Sequence, residues 1–181
     1  AGDTGACLVP AMRRLGAGMP FGQRPGIRRS FQVLSVDFHL DGERFVQAAP
    51  GLRVRFTVEP GATGRIDPAD LDRNGRPDLV DTVIQGWSDA TFLIESQLGL
   101  AMPLATEILL TGLGDFDGYV VPEANGMRVV LHASSSGEAD DSRRAAMHHA
   151  VHAAVAVAAG TLPAMWDEAF ASWIELAIEE T

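Results

Sequence analysis

The sequence predicts an α+β domain, with strands first and helices last. Two patterns carry this. Leu34, Val36, Phe38 and Leu40 alternate with Ser35, Asp37 and His39, and Leu52, Val54, Phe56 and Val58 alternate with Arg53, Arg55 and Thr57. An apolar period of two is that of a half-buried strand. Further on the spacing turns helical: Val80, Val83, Ile84, Trp87, Ala90, Thr91 and Ile94 fall on one stripe.

The elements follow in order. Residues 1–30 are rich in Gly, Pro and Arg without a period and read as a poorly ordered arm. The domain proper is expected over residues 31–181. Asp41-Gly42 is a turn signal between the first two strands, and residues 44–48 can add a short strand. Pro60, Gly61, Gly64, Pro68, Gly75 and Pro77 make residues 59–78 a loop. A helix is expected from 79 to 98, and strands near 105–111 and 127–133. In the latter, Met127, Val129, Leu131 and Ala133 share a face. A helix from 143 to 159 has Asp140, Asp141 and Ser142 as N-cap candidates and Gly160 as its stop. A second helix can begin near Pro163 and carry Trp166 to Ile178. The chain then stops inside an apparent helix, which suggests a longer parent.

Composition narrows the function classes. The 181 residues are 46% hydrophobic and 21% charged, enough to bury the core of one domain. A net charge of −10 argues against nucleic acid, whose phosphates need a basic face. No apolar run reaches the ~18 residues that would span a bilayer. Cys7 is the single cysteine, so no internal disulfide can form. Thr4-Gly5-Ala6-Cys7 has the outline of a lipid-attachment site, but no apolar segment precedes it, and Cys7 reads as an incidental thiol.

The chemistry concentrates in Met147-His148-His149-Ala150-Val151-His152. His148 and His152 are four apart and share a helix face, with Cβ atoms roughly 5–6 Å apart. Two imidazoles so spaced can take two corners of a tetrahedral zinc site. The surrounding Ala and Val suggest a buried helix, where polar groups need partners. Buried histidines bonded to backbone or water are the competing reading. A third ligand should come from the next helix, where Glu168 can face His152 and Asp167 is its rival; either can also be a solvated first-turn acid.

This constellation resembles the gluzincin-type metallopeptidases, whose helix reads His-Glu-x-x-His and whose next helix supplies a Glu. More narrowly it is similar to a group of secreted bacterial metallopeptidases. In that group a strand, a calcium-type acidic loop and a helix precede the zinc helix, and a Trp-x-x-Glu-Ala-x-Ala-x-Trp-x-Glu stretch follows it. Here that stretch is Trp166, Glu168-Ala169, Ala171, Trp173 and Glu175, with Glu168 two positions after Trp166. The likeness covers roughly residues 50–178. It implies a zincin-like fold: a small, twisted, mostly antiparallel sheet packed on the metal-binding helix and a following helix. It also implies zinc at His148, His152 and Glu168, and a peptide or protein substrate if the domain is active. The departure is His149, which stands where the family has its general-base Glu. A histidine can act as a base, or fill the open metal position and close the site. An inactive metal-binding relative, an altered hydrolase and a metal-free relative all remain open.

The second motif is Asp70-Leu71-Asp72-Arg73-Asn74-Gly75-Arg76-Pro77-Asp78-Leu79-Val80-Asp81. Oxygen side chains stand at positions 1, 3, 5, 9 and 12, and Gly75 sits at the sharp turn at 6. Asp70, Asp72, Asn74, Asp78, Asp81 and the Arg76 carbonyl are the expected calcium ligands. Asp81 replaces the usual Glu at position 12, and its shorter arm should weaken binding. The competing reading is a turn that caps the following helix without an ion. Calcium is abundant outside cells, so the loop points to a secreted or extracytoplasmic home.

Overall fold

The structure is a computed structural model; it describes residues 40–113, 118–123, 125–133, 139–159, 169 and 171–173. The expected arm over 1–30, the strand over 34–40 (save Leu40) and most of the last helix lie outside these residues, and so do Asp167 and Glu168. Five strands, β1 (Glu43–Ala49), β2 (Leu52–Thr57), β3 (Thr106–Thr111), β4 (Gly118–Glu123) and β5 (Gly126–His132), form one sheet in the order β1-β2-β3-β5-β4. Two helices accompany them, α1 (Asp78–Leu98) and α2 (Ala139–Ala159).

The expected α+β class holds, but the sheet is mixed where a mostly antiparallel one was expected. β1–β2 and β4–β5 pair antiparallel, while β2–β3 and β3–β5 pair parallel. The reason lies in the connections. A tight turn at Pro50-Gly51 returns the chain antiparallel, whereas the long passage through α1 brings β3 back beside β2 in the same direction. β4, which the sequence pattern did not reveal, forms the antiparallel edge next to β5.

The register gives the sheet two unlike faces, because cross-strand partners point the same way. Val54, Ile108, Val129 and Val120 form one buried row. On the opposite face Arg53, Glu107 and Arg128 are partners across β2, β3 and β5. Glu107 accepts from Arg53 at 2.5 Å and from Arg55 at 2.8 Å, and lies 3.5 Å from Arg128 Nε. Arg55 also reaches Glu43 on β1, and Arg128 reaches Glu123 on β4 at 2.9 Å. One ion network therefore crosses all five strands.

α1 buries Val80, Val83, Trp87, Ala90 and Ile94, the stripe that its 3.6-residue period dictates. Gly99 ends it in the left-handed conformation, at φ 63°, and its N–H bonds the Ile94 carbonyl. α2 begins at Ala139, earlier than the expected 143, so Asp141 and Ser142 lie inside its first turns and are not its caps. From Ala146 to Val155 every residue of α2 but His148 is buried. A helix apolar on all sides is an interior helix, and this one carries its histidines inward with it. Where α1 and α2 cross, an added Cβ on Gly86 would lie 2.5 Å from the Arg143 carbonyl oxygen. Arg143 also pairs with Asp89 at 2.7 Å across the same crossing.

Candidate metal centre

His152 is fully buried, His149 is 1% exposed and His148 is half-buried. The i, i+4 spacing does what the sequence predicts. The Nε2 atoms of His148 and His152 stand 2.9 Å apart, with ring centroids at 4.6 Å. Two imidazoles on one tetrahedral zinc, each at about 2.0–2.1 Å, would place their nitrogens about 3.3 Å apart. The observed separation is that of a direct N–H···N hydrogen bond between the two rings, a few tenths of an ångström shorter than two zinc ligands would stand. Glu168, the expected third ligand, is outside the described residues.

His149 is held differently. Its Nδ1 lies 2.8 Å from the Ala145 carbonyl oxygen, and since a carbonyl only accepts, Nδ1 carries the proton. In the neutral ring the lone pair is then on Nε2. That atom faces β4, where an added Cβ on Gly118 would come within 2.9 Å of Nε2 and 3.0 Å of Cε1. The ring centroid is 5.2 Å from that of His148 and 5.7 Å from that of His152. Yet among the described residues only Asp70, Asp72 and Asp78 bring three ligand atoms within 4.8 Å of one another. His149 is close to the pair but does not converge on it.

In the acidic loop the carboxylates of Asp70, Asp72 and Asp78 form that convergent group. Arg73, at φ 60°, and Gly75, at φ 86°, turn the chain around them. Asp70 accepts from the N–H groups of Asn74 and Gly75 at 3.0 and 2.9 Å, and Asp78 from Leu71 N–H at 3.0 Å. Asp81, expected at the twelfth position, is not among the three. Its carboxylate is 2.9 Å from Arg76 Nη2 and accepts from the Asn74 amide at 2.7 Å. Asn74 Oδ1 accepts from the Arg76 N–H at 2.8 Å, which aims the Asn74 amide nitrogen at Asp72 and Asp81. The expected ligand set is thus assembled in part. Asp70, Asp72 and Asp78 converge, while Asn74 and Asp81 are engaged with each other and with Arg76.

Three structural features escaped the sequence pattern: the close approaches at Gly118 and Gly86 and the ion network. Gly118 opens a short Gly-Tyr-Val-Val run whose β propensity was the available signal. The network joins residues 43 to 128 and has no local signature. Compared with family models, curated proteins and solved structures, the chain matches none.

Proposed function

We propose that this chain is a zinc-metallopeptidase-like domain, gluzincin-like in its metal helix, with peptidase activity reduced or lost because His149 occupies the general-base position. The observation that carries the reading is the 2.9 Å approach of two Nε2 atoms on an interior helix. At that distance one Nε2–H donates to the other ring's Nε2, and an ion that displaces this proton would find both lone pairs on one side of the helix.

Zinc would be held by His148, His152 and Glu168, and when bound it would act as a Lewis acid toward a peptide carbonyl. The chain's own part is orientation and proton handling. The Ala145 carbonyl fixes the His149 tautomer, and Nε2 is left as the basic nitrogen beside β4. A histidine ring reaches less far and bends less than a Glu arm, so proton transfer at the position a Glu would serve should be slow. The 70–81 loop would hold calcium through Asp70, Asp72 and Asp78, with the Arg76 carbonyl, Asn74 and Asp81 joining once the Asn74 amide turns. Such a loop pins the start of α1, and its weak affinity suits the calcium levels found outside cells, hence a secreted or extracytoplasmic location.

The alternative is a non-catalytic binding or structural module of a larger secreted protein, favoured by the absence of a Glu at 149. Proteolysis separates the two. Zinc-loaded parent should cleave an unfolded protein substrate slowly or not at all, and His149→Glu should gain cleavage. If neither cleaves while both hold zinc, the module reading replaces the peptidase-like one.

A further inference from the structure

We infer that His132 is a pH-sensitive latch between the ends of β3 and β5. Its ring accepts the Leu113 N–H at Nδ1, 2.9 Å away. A backbone N–H only donates, so Nδ1 offers its lone pair, and the neutral ring carries its proton on Nε2. The imidazolium has an N–H on both nitrogens and accepts nothing. Protonating His132 therefore turns the acceptor into a second donor facing the Leu113 N–H, and the bond is lost. Histidine is the side chain that ordinarily gains its charge between pH 8 and pH 5. The bond lies where the ladder runs out. Thr111 and His132 are the last partners of β3 and β5, and the Ala133 N–H still reaches the Thr111 carbonyl at 2.8 Å. Leu113 stands two residues past Thr111, and the ring takes its N–H in place of a strand carbonyl.

The charged and titratable groups around the ring are engaged elsewhere. On its own strand and face, Arg128 pairs with Glu123 and lies beside Glu107. On β3 the facing residue is Thr111, and Glu107, four residues back, is held by Arg53 and Arg55. On β4 the diagonal neighbour is Tyr119, the partner of Val130; burial pushes its phenol up to about 12, so it stays neutral from pH 5 to pH 8. The loop packed on Thr111 and Gly112 at Gly64 carries Glu59, which lies against Gly42, and Arg65, which donates to the Val58 carbonyl at 3.1 Å. His149 is on the other face of the sheet, against Gly118, the partner of Leu131. Among the described residues no carboxylate pairs with His132, so a charged ring gains nothing there to offset the lost bond.

Nitrogen-15 NMR of the full chain between pH 8 and pH 5 tests this. The His132 ring nitrogens report protonation and tautomer, and the Leu113 amide reports the bond. At pH 8, Nδ1 should resonate as an unprotonated nitrogen, and on acidification the Leu113 amide should move along the ring's own titration curve. Amide hydrogen exchange, corrected for the intrinsic effect of pH, should show Leu113 losing about 2–10-fold of its protection once the ring is charged, the share that one hydrogen bond carries. His132→Asn, whose side-chain oxygen can stand where Nδ1 does and does not titrate, should keep that protection at both ends of the range. His132→Ala should lack it at both. A Leu113 amide that ignores the ring's titration would overturn the inference, and so would a pH dependence that persists in His132→Asn. If His132→Ala fails to fold, the parent and His132→Asn still decide.

Discussion

Gly86→Ala is a substitution whose sign depends on the helix crossing. In a helix interior, Ala is more stable than Gly by about 0.8–1 kcal/mol. Local propensity alone therefore predicts a stabilised protein. The structure predicts the reverse. The new methyl would sit 2.5 Å from the Arg143 carbonyl oxygen, 3.1 Å from its carbon and 3.0 Å from its Cγ. Two of these three are backbone atoms of α2, which cannot rotate away as a side-chain tip can. Overpacking a tight contact costs about 1–3 kcal/mol, and backbone contacts belong at the upper end. Offset by the propensity gain, the net loss is about 1–2 kcal/mol. For a chain of this size that lowers Tm by about 2–8 °C. Ser88→Ala on the exposed side of the same helix is the control and should gain about 0.5 kcal/mol or less. Thermal and urea unfolding followed by circular dichroism measure both. A Gly86→Ala protein more stable than the parent would refute the close crossing and the placement of α2 that depends on it.

Three further outcomes are expected. Burial works against the Glu107 charge, but hydrogen bonds from Arg55 and Arg53 more than offset it and hold its pKa below the ordinary value. A depressed carboxylate stabilises the fold fully above the unfolded Glu value of about 4.3, and that stabilisation is lost as pH falls through the lower folded value. Glu107→Gln should therefore cost about 1–2 kcal/mol at neutral pH, since Arg55 and Arg128 keep Glu43 and Glu123 as partners, and flatten stability against pH in the acid range; equal acid sensitivity in urea titrations would contradict this. The Tyr119 hydroxyl is buried with no hydrogen-bond partner among the described residues, and burial pushes its pKa to about 12. Tyr119→Phe should be neutral or stabilising by up to about 1 kcal/mol, because a desolvated, unmade hydrogen bond is removed; a marked loss of Tm would show that the hydroxyl has a partner. Calcium at about 100 times its Kd should stabilise the parent by about 2.7 kcal/mol, and Asp72→Ala should abolish the shift in calorimetry. No calcium shift in the parent would leave the loop a simple turn.

The elements with a strong local period were legible in the sequence. The α1 stripe, the alternation in β2 and the interior character of α2 all follow from apolar spacing, and their ends fall within a few residues of those expected. The two histidines four apart were legible for the same reason, since one helix sets their distance. What was not legible depends on distant partners. The parallel pairing of β2 with β3 is decided by where α1 returns the chain, and that of β3 with β5 by β4 taking the edge so that β5 turns back between them. The close seat of the His149 ring against Gly118 joins residues some thirty positions apart. In the acidic loop the spacing announced six ligands, but Arg76 draws Asp81 away, a competition between charges that a residue pattern does not weigh.

The central claim is that His148 and His152 together hold a transition metal. Its most direct test is the zinc content of the purified chain after equilibration with zinc, with calcium in excess to occupy the acidic loop. One zinc per chain in the parent, and none in either His148→Ala or His152→Ala, is the predicted result. No zinc in the folded parent at saturating metal, or zinc retained in both variants, would contradict it.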